Sequence, residues 1–162
     1  MTPSARHLAV AGLSAAGMLE ALYMLAYEEG LIDSLVCPFF GEGCNIVGRS
    51  EHARHFGIPN AAAGAVAYAA MATLALWMGG DNGARRPVRA LGLGALAGMA
   101  AGASAMLTWK QYAKVKAYCF WCLNTAAINT ALLPLTLPDA RRGWGVLTRA
   151  PRESSLSGSP AA

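Results

Sequence analysis

Four apolar segments, each long enough to cross a lipid bilayer, limit this chain to a small set of folds. A hydrocarbon core about 30 Å thick is crossed by about 20 consecutive, mostly apolar residues in an α-helix. Charged residues, glycines or prolines separate four such segments, at residues 8–27, 58–77, 88–109 and 118–137. We therefore predict an all-α integral membrane four-helix bundle, with a long loop between the first two helices.

The composition also favours a membrane protein over a soluble one. Charged residues make up 14% of the chain, whereas an ordinary soluble domain has about 25%. The net charge of +4 is spread over short basic clusters, which predicts no nucleic-acid partner, because such partners need a basic stripe or patch. The first segment follows Arg6 and has some features of a secretory signal. It is long enough to span the membrane, however, and its removal would leave an odd number of helices.

The positions of lysine and arginine predict the orientation of the bundle, because these residues prefer the cytoplasmic side of a membrane. Eight of them flank the segments on one side: Arg6, Arg85, Arg86, Arg89, Arg141, Arg142, Arg149 and Arg152. Five lie on the other side: Arg49, Arg54, Lys110, Lys114 and Lys116. We therefore predict a protein of the cell (inner) membrane with both termini in the cytoplasm and an extracytoplasmic loop over residues 28–57.

Residues 1–150 are expected to form one membrane domain. Residues 151–162 are rich in Ser, Pro and Gly, a composition that predicts a disordered cytoplasmic tail. Within the third segment, Gly94, Gly98 and Gly102 recur at steps of four, a pattern that lets membrane helices approach closely. A carboxyl inside a membrane segment, such as Glu20, either marks a functional site or is paired within the bundle.

The four cysteines form two pairs, which this topology brings to one face of the membrane. Cys37 and Cys44 lie in the loop, and Cys119 and Cys122 form a Cys-Phe-Trp-Cys motif at the start of the fourth segment. Two crossings separate the pairs, so both lie on the outer side, where disulfides persist. At the start of a helix the first thiol of a Cys-x-x-Cys motif is acidified, and such a pair can be redox active.

Other uses of the cysteines also fit this spacing. Two static disulfides are common in segments that face an oxidising compartment. Zinc usually requires closely spaced pairs or nearby histidines, for which His52 and His55 are the candidates in the loop, and we predict no zinc site. The alternative function that we retain is a binding or transport protein whose four thiols hold a soft metal such as Cu(I) or Hg(II).

The depth of the two pairs favours electron transfer. Tyr118, Phe120 and Trp121 surround the second pair at the level where aromatic side chains lie in membranes. A dithiol at this depth can meet a lipid-soluble electron acceptor, whereas the loop pair can meet a soluble protein. Two dithiols on one face therefore suggest a relay, in which a thiolate of one pair attacks the disulfide of the next.

Three motifs, in their order and spacing, match a known family. They are Cys37-Pro-Phe-Phe-Gly-Glu-Gly-Cys44 followed by Ser50, Phe56-Gly57-Ile58-Pro59, and Tyr118-Cys119-Phe120-Trp121-Cys122. In these motifs, and over residues 8–138, the chain resembles the vitamin K epoxide reductase family, specifically its bacterial members that oxidise disulfide-forming partners. Many of those members carry a fused thioredoxin domain, which this chain lacks after its fourth segment, so the expected partner is a separate thioredoxin-like protein.

The resemblance implies a quinone-dependent thiol oxidoreductase that supports disulfide bond formation. The reduced partner would attack the Cys37–Cys44 disulfide, and a loop thiolate, for which Cys44 is our choice, would attack the Cys119–Cys122 disulfide. Cys122 would then pass two electrons to the quinone, either ubiquinone or menaquinone.

The resemblance also suggests which side chains contact the quinone. The expected contacts are Asn60, Phe120, Trp121, Cys122 and Thr125. Animal members carry a Tyr where this chain has Ala126, so the ring is expected to be held differently and vitamin K epoxide is not an expected substrate. Ser50 would either support the cysteine loop or cap a short helix over residues 51–56 that lies on the membrane.

Overall fold

Long helices dominate residues 2–55, 57–80 and 86–156, the part of the chain that the computed structural model describes. The five α-helices in these ranges are α1 (Pro3–Glu28), α2 (Gly43–Gly48), α3 (Asn60–Gly80), α4 (Arg86–Lys110) and α5 (Phe120–Leu156). All of them except α2 are long and apolar enough to cross a membrane. The prediction of an all-α membrane bundle is confirmed, and the protein is an integral membrane protein.

The bundle is closed by contacts between neighbouring long helices. α1 packs chiefly against α3, and α4 packs chiefly against α5, while α1 also contacts α5 and α3 contacts α4. Its core consists of apolar side chains from all four long helices, among them Val10, Tyr68, Met71, Ala75, Leu93, Ala97 and Leu132. Large apolar side chains such as Leu19, Val66 and Met99 point outwards. Exposed apolar faces of this kind are stable where lipid surrounds the helices.

Shorter elements join α2 to α3 at one end of the bundle. A 3₁₀ turn (Glu51–Ala53) leads into an antiparallel hairpin of β1 (Arg54–His55) and β2 (Ile58–Pro59), with Arg54 opposite Pro59 and His55 opposite Ile58. The predicted short helix over residues 51–56 is therefore limited to the 3₁₀ turn at residues 51–53 and is wrong for residues 54 and 55, while Phe56 lies outside the described residues. Arg54 explains the difference, because it donates to the Glu28 carbonyl at 2.8 Å and to the Glu29 carboxylate at 2.9 Å. These long-range bonds hold the segment against the end of α1.

Glycines allow close helix contacts at particular positions only. A Cβ atom at Gly17 of α1 would overlap the Tyr68 ring of α3, and one at Gly94 of α4 would overlap the Ala140 side chain of α5. Cβ atoms at Gly98 and Gly102 would meet nothing within 4 Å in the described structure. The three-glycine pattern in α4 therefore contributes one close approach, at Gly94, rather than three.

The fourth long helix continues well beyond its predicted end at residue 137. Pro138 and Asp139, which were expected to stop it, lie inside α5. Asp139 is buried and accepts hydrogen bonds from Arg6 at 2.7 Å and His7 at 2.9 Å. These partners on α1 satisfy the carboxylate within the bundle, so the charge does not end the helix. α5 also includes residues 151–156 of the expected disordered tail, whereas residues 157–162 and Arg85 lie outside the described residues.

Candidate functional site

The loop between α1 and α2 carries a disulfide between Cys37 and Cys44, whose Cα atoms are 5.7 Å apart. Cys44 lies in the first turn of α2 and is fully buried, whereas Cys37 is half-buried. Asn45 organises this loop: its amide oxygen accepts from the Leu35 N–H at 2.8 Å and its amide nitrogen donates to the Glu42 carboxylate at 2.8 Å. The local fold therefore leaves one sulfur accessible and directs the other into the protein.

The second pair lies at the start of α5, and its two sulfurs are not bonded to each other. Cys119 is fully buried and directly precedes the helix, while Cys122 lies in its first turn and is half-buried. The Cys119 N–H donates to the side-chain oxygen of Gln111 at 2.8 Å, and the Cys122 N–H donates to Cys119 Sγ at 3.4 Å. The π-helical segment after α4 (Gln111–Val115) supplies this glutamine, so an irregular helix end positions the motif.

The structure brings the two pairs together at one end of the bundle. The Phe120 N–H donates to Cys44 Sγ at 3.4 Å, and Cys44 and Cys119 belong to the same buried cluster. A side chain at Gly43 would overlap the Tyr118 carbonyl oxygen, so glycine is required where α2 contacts the segment before α5. Cys44 is therefore buried with Cys119 and bonded to the start of α5, while Cys37 packs against the same cluster from a half-buried position.

The surroundings of Cys119 favour its thiolate. A hydrogen bond from the Cys122 side chain lowers the pKa of the Cys119 thiol below its ordinary value, although burial partly opposes this effect. The backbone N–H groups of Cys122 and Trp121 also lower this pKa. Amides at the start of a helix commonly acidify a thiol in this way.

Beside Cys122 is a cavity of about 120 Å³ that side chains from all four long helices line. Its lining is mostly apolar, with polar groups that include Ser50, Asn60, Gln111 and Thr125. A largely apolar pocket with a few polar groups is typical of small-molecule sites, so the lining residues fit a quinone ring.

Three of the five predicted quinone contacts line this cavity, namely Asn60, Cys122 and Thr125. The other two, Phe120 and Trp121, are not among the residues that line the cavity in the described structure, and they pack against the disulfide loop. The Trp121 indole donates to the Val36 carbonyl at 2.8 Å, and the Phe120 ring lies 5.5 Å from that of Phe39. Residues three apart share a helix face, so Cys122 and Thr125 face the cavity while the two aromatic rings face the loop.

Asn60 and Ser50 both border the cavity, but their hydrogen bonds serve the loop. The Asn60 amide nitrogen donates to the His52 carbonyl at 2.7 Å, and its oxygen lies 2.9 Å from His55 Nδ1. Ser50 donates to the Val47 carbonyl at 2.7 Å and makes no side-chain cap of the following 3₁₀ turn. Of its two expected roles, capping is therefore wrong, and support of the loop after Cys44 matches its contacts.

Several polar residues of the site were not recognised from the sequence. These are Gln111, Tyr68 and Glu28, which line the cavity. Glu20 on α1, for which the sequence left a functional or a paired role open, accepts hydrogen bonds from Asn124 and Thr125 on α5. Polar residues inside apolar segments were the available signal, since such groups must find partners within a membrane protein. Their partners come from distant parts of the chain and so could not be assigned by spacing.

The cysteine arrangement does not resemble a metal centre. Two of the four sulfurs are joined in a disulfide, whereas metal binding requires thiolates. Among residues 2–55, 57–80 and 86–156, no three His, Cys, Asp or Glu side chains come together as a possible metal site.

Comparison with known proteins identifies the class of this site. No curated protein sequence matches the chain. The model of the vitamin K epoxide reductase family matches residues 8–137, which include all four cysteines and nearly all of the bundle. Members of this family are membrane thiol–disulfide oxidoreductases, and the structure provides the membrane helices and the cysteine pairs. The chain belongs to the vitamin K epoxide reductase family and is a membrane oxidoreductase that acts on thiols and disulfides.

Proposed function

We propose that the protein oxidises a separate thioredoxin-like protein and passes two electrons through its cysteine pairs to a quinone, thereby supporting disulfide bond formation. The contact between Cys44 Sγ and the start of α5 carries this proposal, because it joins a disulfide in the loop to a dithiol beside a largely apolar cavity. Neither pair alone reaches both the loop surface and the membrane interior.

Exposure and burial support an order for the thiol steps. A thiolate of the partner attacks the half-buried Cys37, and Cys44 leaves as a thiolate that carries the electron pair. Cys44 then attacks Cys119 of the oxidised second pair, and Cys122 leaves as a thiolate toward the cavity. The second thiolate of the partner attacks its mixed disulfide with Cys37, which releases the oxidised partner and a Cys37 thiolate. Cys37 then attacks Cys44, so that the Cys37–Cys44 disulfide forms again and Cys119 leaves as a thiolate. Each exchange forms one S–S bond and breaks another, so two electrons reach the second pair.

The last step returns the second pair to its disulfide. A quinone bound in the cavity supplies the terminal acceptor of two electrons and two protons. Cys122 faces that cavity, and Asn60 also lines it and keeps one amide N–H, besides the one given to His52, for a carbonyl oxygen. Thr125 lines it as well, with its hydroxyl donating to Glu20. Cys119, whose pKa is lowered, closes the S–S bond with Cys122 as the electron pair leaves. We expect ubiquinone or menaquinone in this role.

We further propose that the cysteine end of the bundle faces outwards and that both termini are cytoplasmic. Arg86 and Arg89 lie at the start of α4, at the opposite end of the bundle, and Arg141 and Arg142 lie in the part of α5 that packs against it, which favours the cytoplasm for that side. Residues 1–150 would then be the membrane domain and residues 151–162 a cytoplasmic extension of it.

Quinone reduction by the purified protein tests this function. We expect turnover when a reduced thioredoxin-like protein and a ubiquinone or menaquinone analogue are supplied together, followed by the absorbance change of the quinone. Cys122→Ser should reduce the rate to background, because it removes the sulfur beside the cavity. Ala127→Ser, on an exposed face of α5, is the matched control and should keep the original rate. Equal rates in the Cys122→Ser variant and the unsubstituted protein would contradict the proposed route.

A further inference from the structure

The proposed function, on which this inference rests, moves protons as well as electrons. Oxidation of the partner dithiol releases two protons at the loop, whereas the terminal acceptor takes up two protons inside the cavity. The electron pair crosses between these places by thiol–disulfide exchange, which carries no proton through the protein. A group that connects the loop surface with the cavity is therefore needed.

Glu28, at the end of α1, lies between those two places. It lines the cavity that contains Cys122, Asn60 and Thr125. It also lines a second, outer groove that Asp33, Arg49 and Arg54 border. Glu28 therefore belongs to the wall that the cavity and the groove share.

The contacts of Glu28 leave its carboxyl group able to exchange a proton. Glu28 Oε2 is buried and has no hydrogen-bond partner within the described structure. Arg54, the nearest cation, donates to the Glu28 backbone carbonyl at 2.8 Å and pairs with the Glu29 carboxylate at 2.9 Å. Arg54 thus neutralises the exposed Glu29 carboxylate. Within the described structure, Oε2 of Glu28 remains without a hydrogen bond.

The carboxyl group of Glu20, which also lies inside the bundle, is held differently from that of Glu28. Glu20 accepts a hydrogen bond from Asn124 with one oxygen and from Thr125 with the other, the latter at 3.1 Å. Both of its oxygens are therefore engaged by α5, as in a structural contact between helices. This difference favours Glu28 over Glu20 as a proton carrier.

We infer that the Glu28 carboxyl group carries protons from the outer groove to the acceptor in the cavity. The protonated carboxyl donates its O–H proton to an oxygen of the acceptor as the electron pair arrives from Cys122 and the Cys119–Cys122 bond forms. The resulting carboxylate takes up a proton from the groove, into which the partner's thiol protons are released. Two such transfers in each turnover balance the two electrons.

The pH dependence of this step depends on the charged and titratable groups around Glu28. Within its surroundings these are Arg54, Glu29, Cys119, Cys122, His52, Lys110, Asp33, Arg49 and Glu51. The negative charge of Glu28 raises the pKa of Cys119 against the dominant hydrogen bond from Cys122. Removal of that charge should therefore lower the pH at which Cys119 ionises.

The full-length protein with Glu28→Gln tests the inference, because glutamine keeps the shape but carries no exchangeable acid proton. We expect the transfer from a reduced thioredoxin-like protein to Cys119–Cys122 to stay within about twofold, while quinone reduction slows about a hundredfold, the usual contribution of a positioned acid. The rate of quinone reduction should also depend less steeply on pH. In quinone-free, reduced protein, the ultraviolet absorbance of the thiolates should titrate at lower pH than in the unsubstituted protein.

Two further variants serve as controls. Ala127→Ser, on an exposed face of α5, should keep both the rate and the pH profile, whereas Glu28→Asp should recover much of the lost quinone reduction. Glu28→Gln with an unchanged rate and pH profile, or an unshifted thiolate titration, would overturn the inference while the proposed function stands. A lack of quinone reduction by the unsubstituted protein would overturn the proposed function and this inference together.

Discussion

At the scale of single residues, the two cysteines of the second pair differ in environment although they are only three positions apart. Cys119 is fully buried, with its N–H bound to Gln111, whereas Cys122 borders the cavity. The sequence predicted an acidified first thiol from its position at a helix start. It could not predict Gln111 as a partner, because that contact depends on the π-helical end that follows α4.

The acidity of Cys119 leads to a prediction about its titration. Cys122→Ala should raise the pH at which the Cys119 thiolate forms, because the hydrogen bond that lowers its pKa is lost. Cys122→Ser retains an O–H donor and should titrate at lower pH than the alanine variant. The midpoints of both variants can be measured by the ultraviolet absorbance of the thiolate, in protein whose Cys37–Cys44 disulfide is intact. The same midpoint in both variants would show that the hydrogen bond has no such effect.

At the scale of helices, sequence and structure agree on which four segments form long apolar helices and differ on where these helices end. Apolar length predicted all four long helices, because a bilayer demands about 20 such residues in each. It could not predict that α5 continues through Pro138 and Asp139, since the partners of that carboxylate, Arg6 and His7, lie more than 130 residues earlier in the chain. The length of α5 is therefore determined by the long-range pairing of Asp139 rather than by local composition.

Helix contacts also distinguish between residues that look alike in the sequence. Gly94→Leu should destabilise the protein by about 1–3 kcal/mol, the usual cost of overpacking, because a side chain there overlaps Ala140 of α5. Gly98→Leu, one turn later in the same helix, should have little effect, since a Cβ atom there meets nothing within 4 Å. Thermal unfolding in detergent compares the two variants. Equal losses of stability would mean that α4 and α5 do not pack as described.

At the scale of the whole molecule, the bundle has two chemically different ends. One end holds the cysteine pairs, the cavity and the loop. Near the other end, Asp139 joins α5 to α1 through Arg6 and His7. The topology predicted that both cysteine pairs would share one end, because two crossings return the chain to the same side. It could not predict that Phe120 and Trp121 support the loop rather than the cavity, which depends on the rotation of α5.

The central claim is that electrons pass from the loop to the second pair through Cys44 and Cys119. Its most direct test is disulfide formation in a protein with Cys37→Ser and Cys122→Ser, which retains only Cys44 and Cys119. After mild oxidation, peptide mass spectrometry should find a Cys44–Cys119 disulfide in most molecules. The matched variant with Cys44→Ser and Cys122→Ser, which retains Cys37 and Cys119, should form little disulfide. Free thiols in the first variant, or a disulfide that forms more readily in the second, would contradict electron transfer through Cys44 and Cys119.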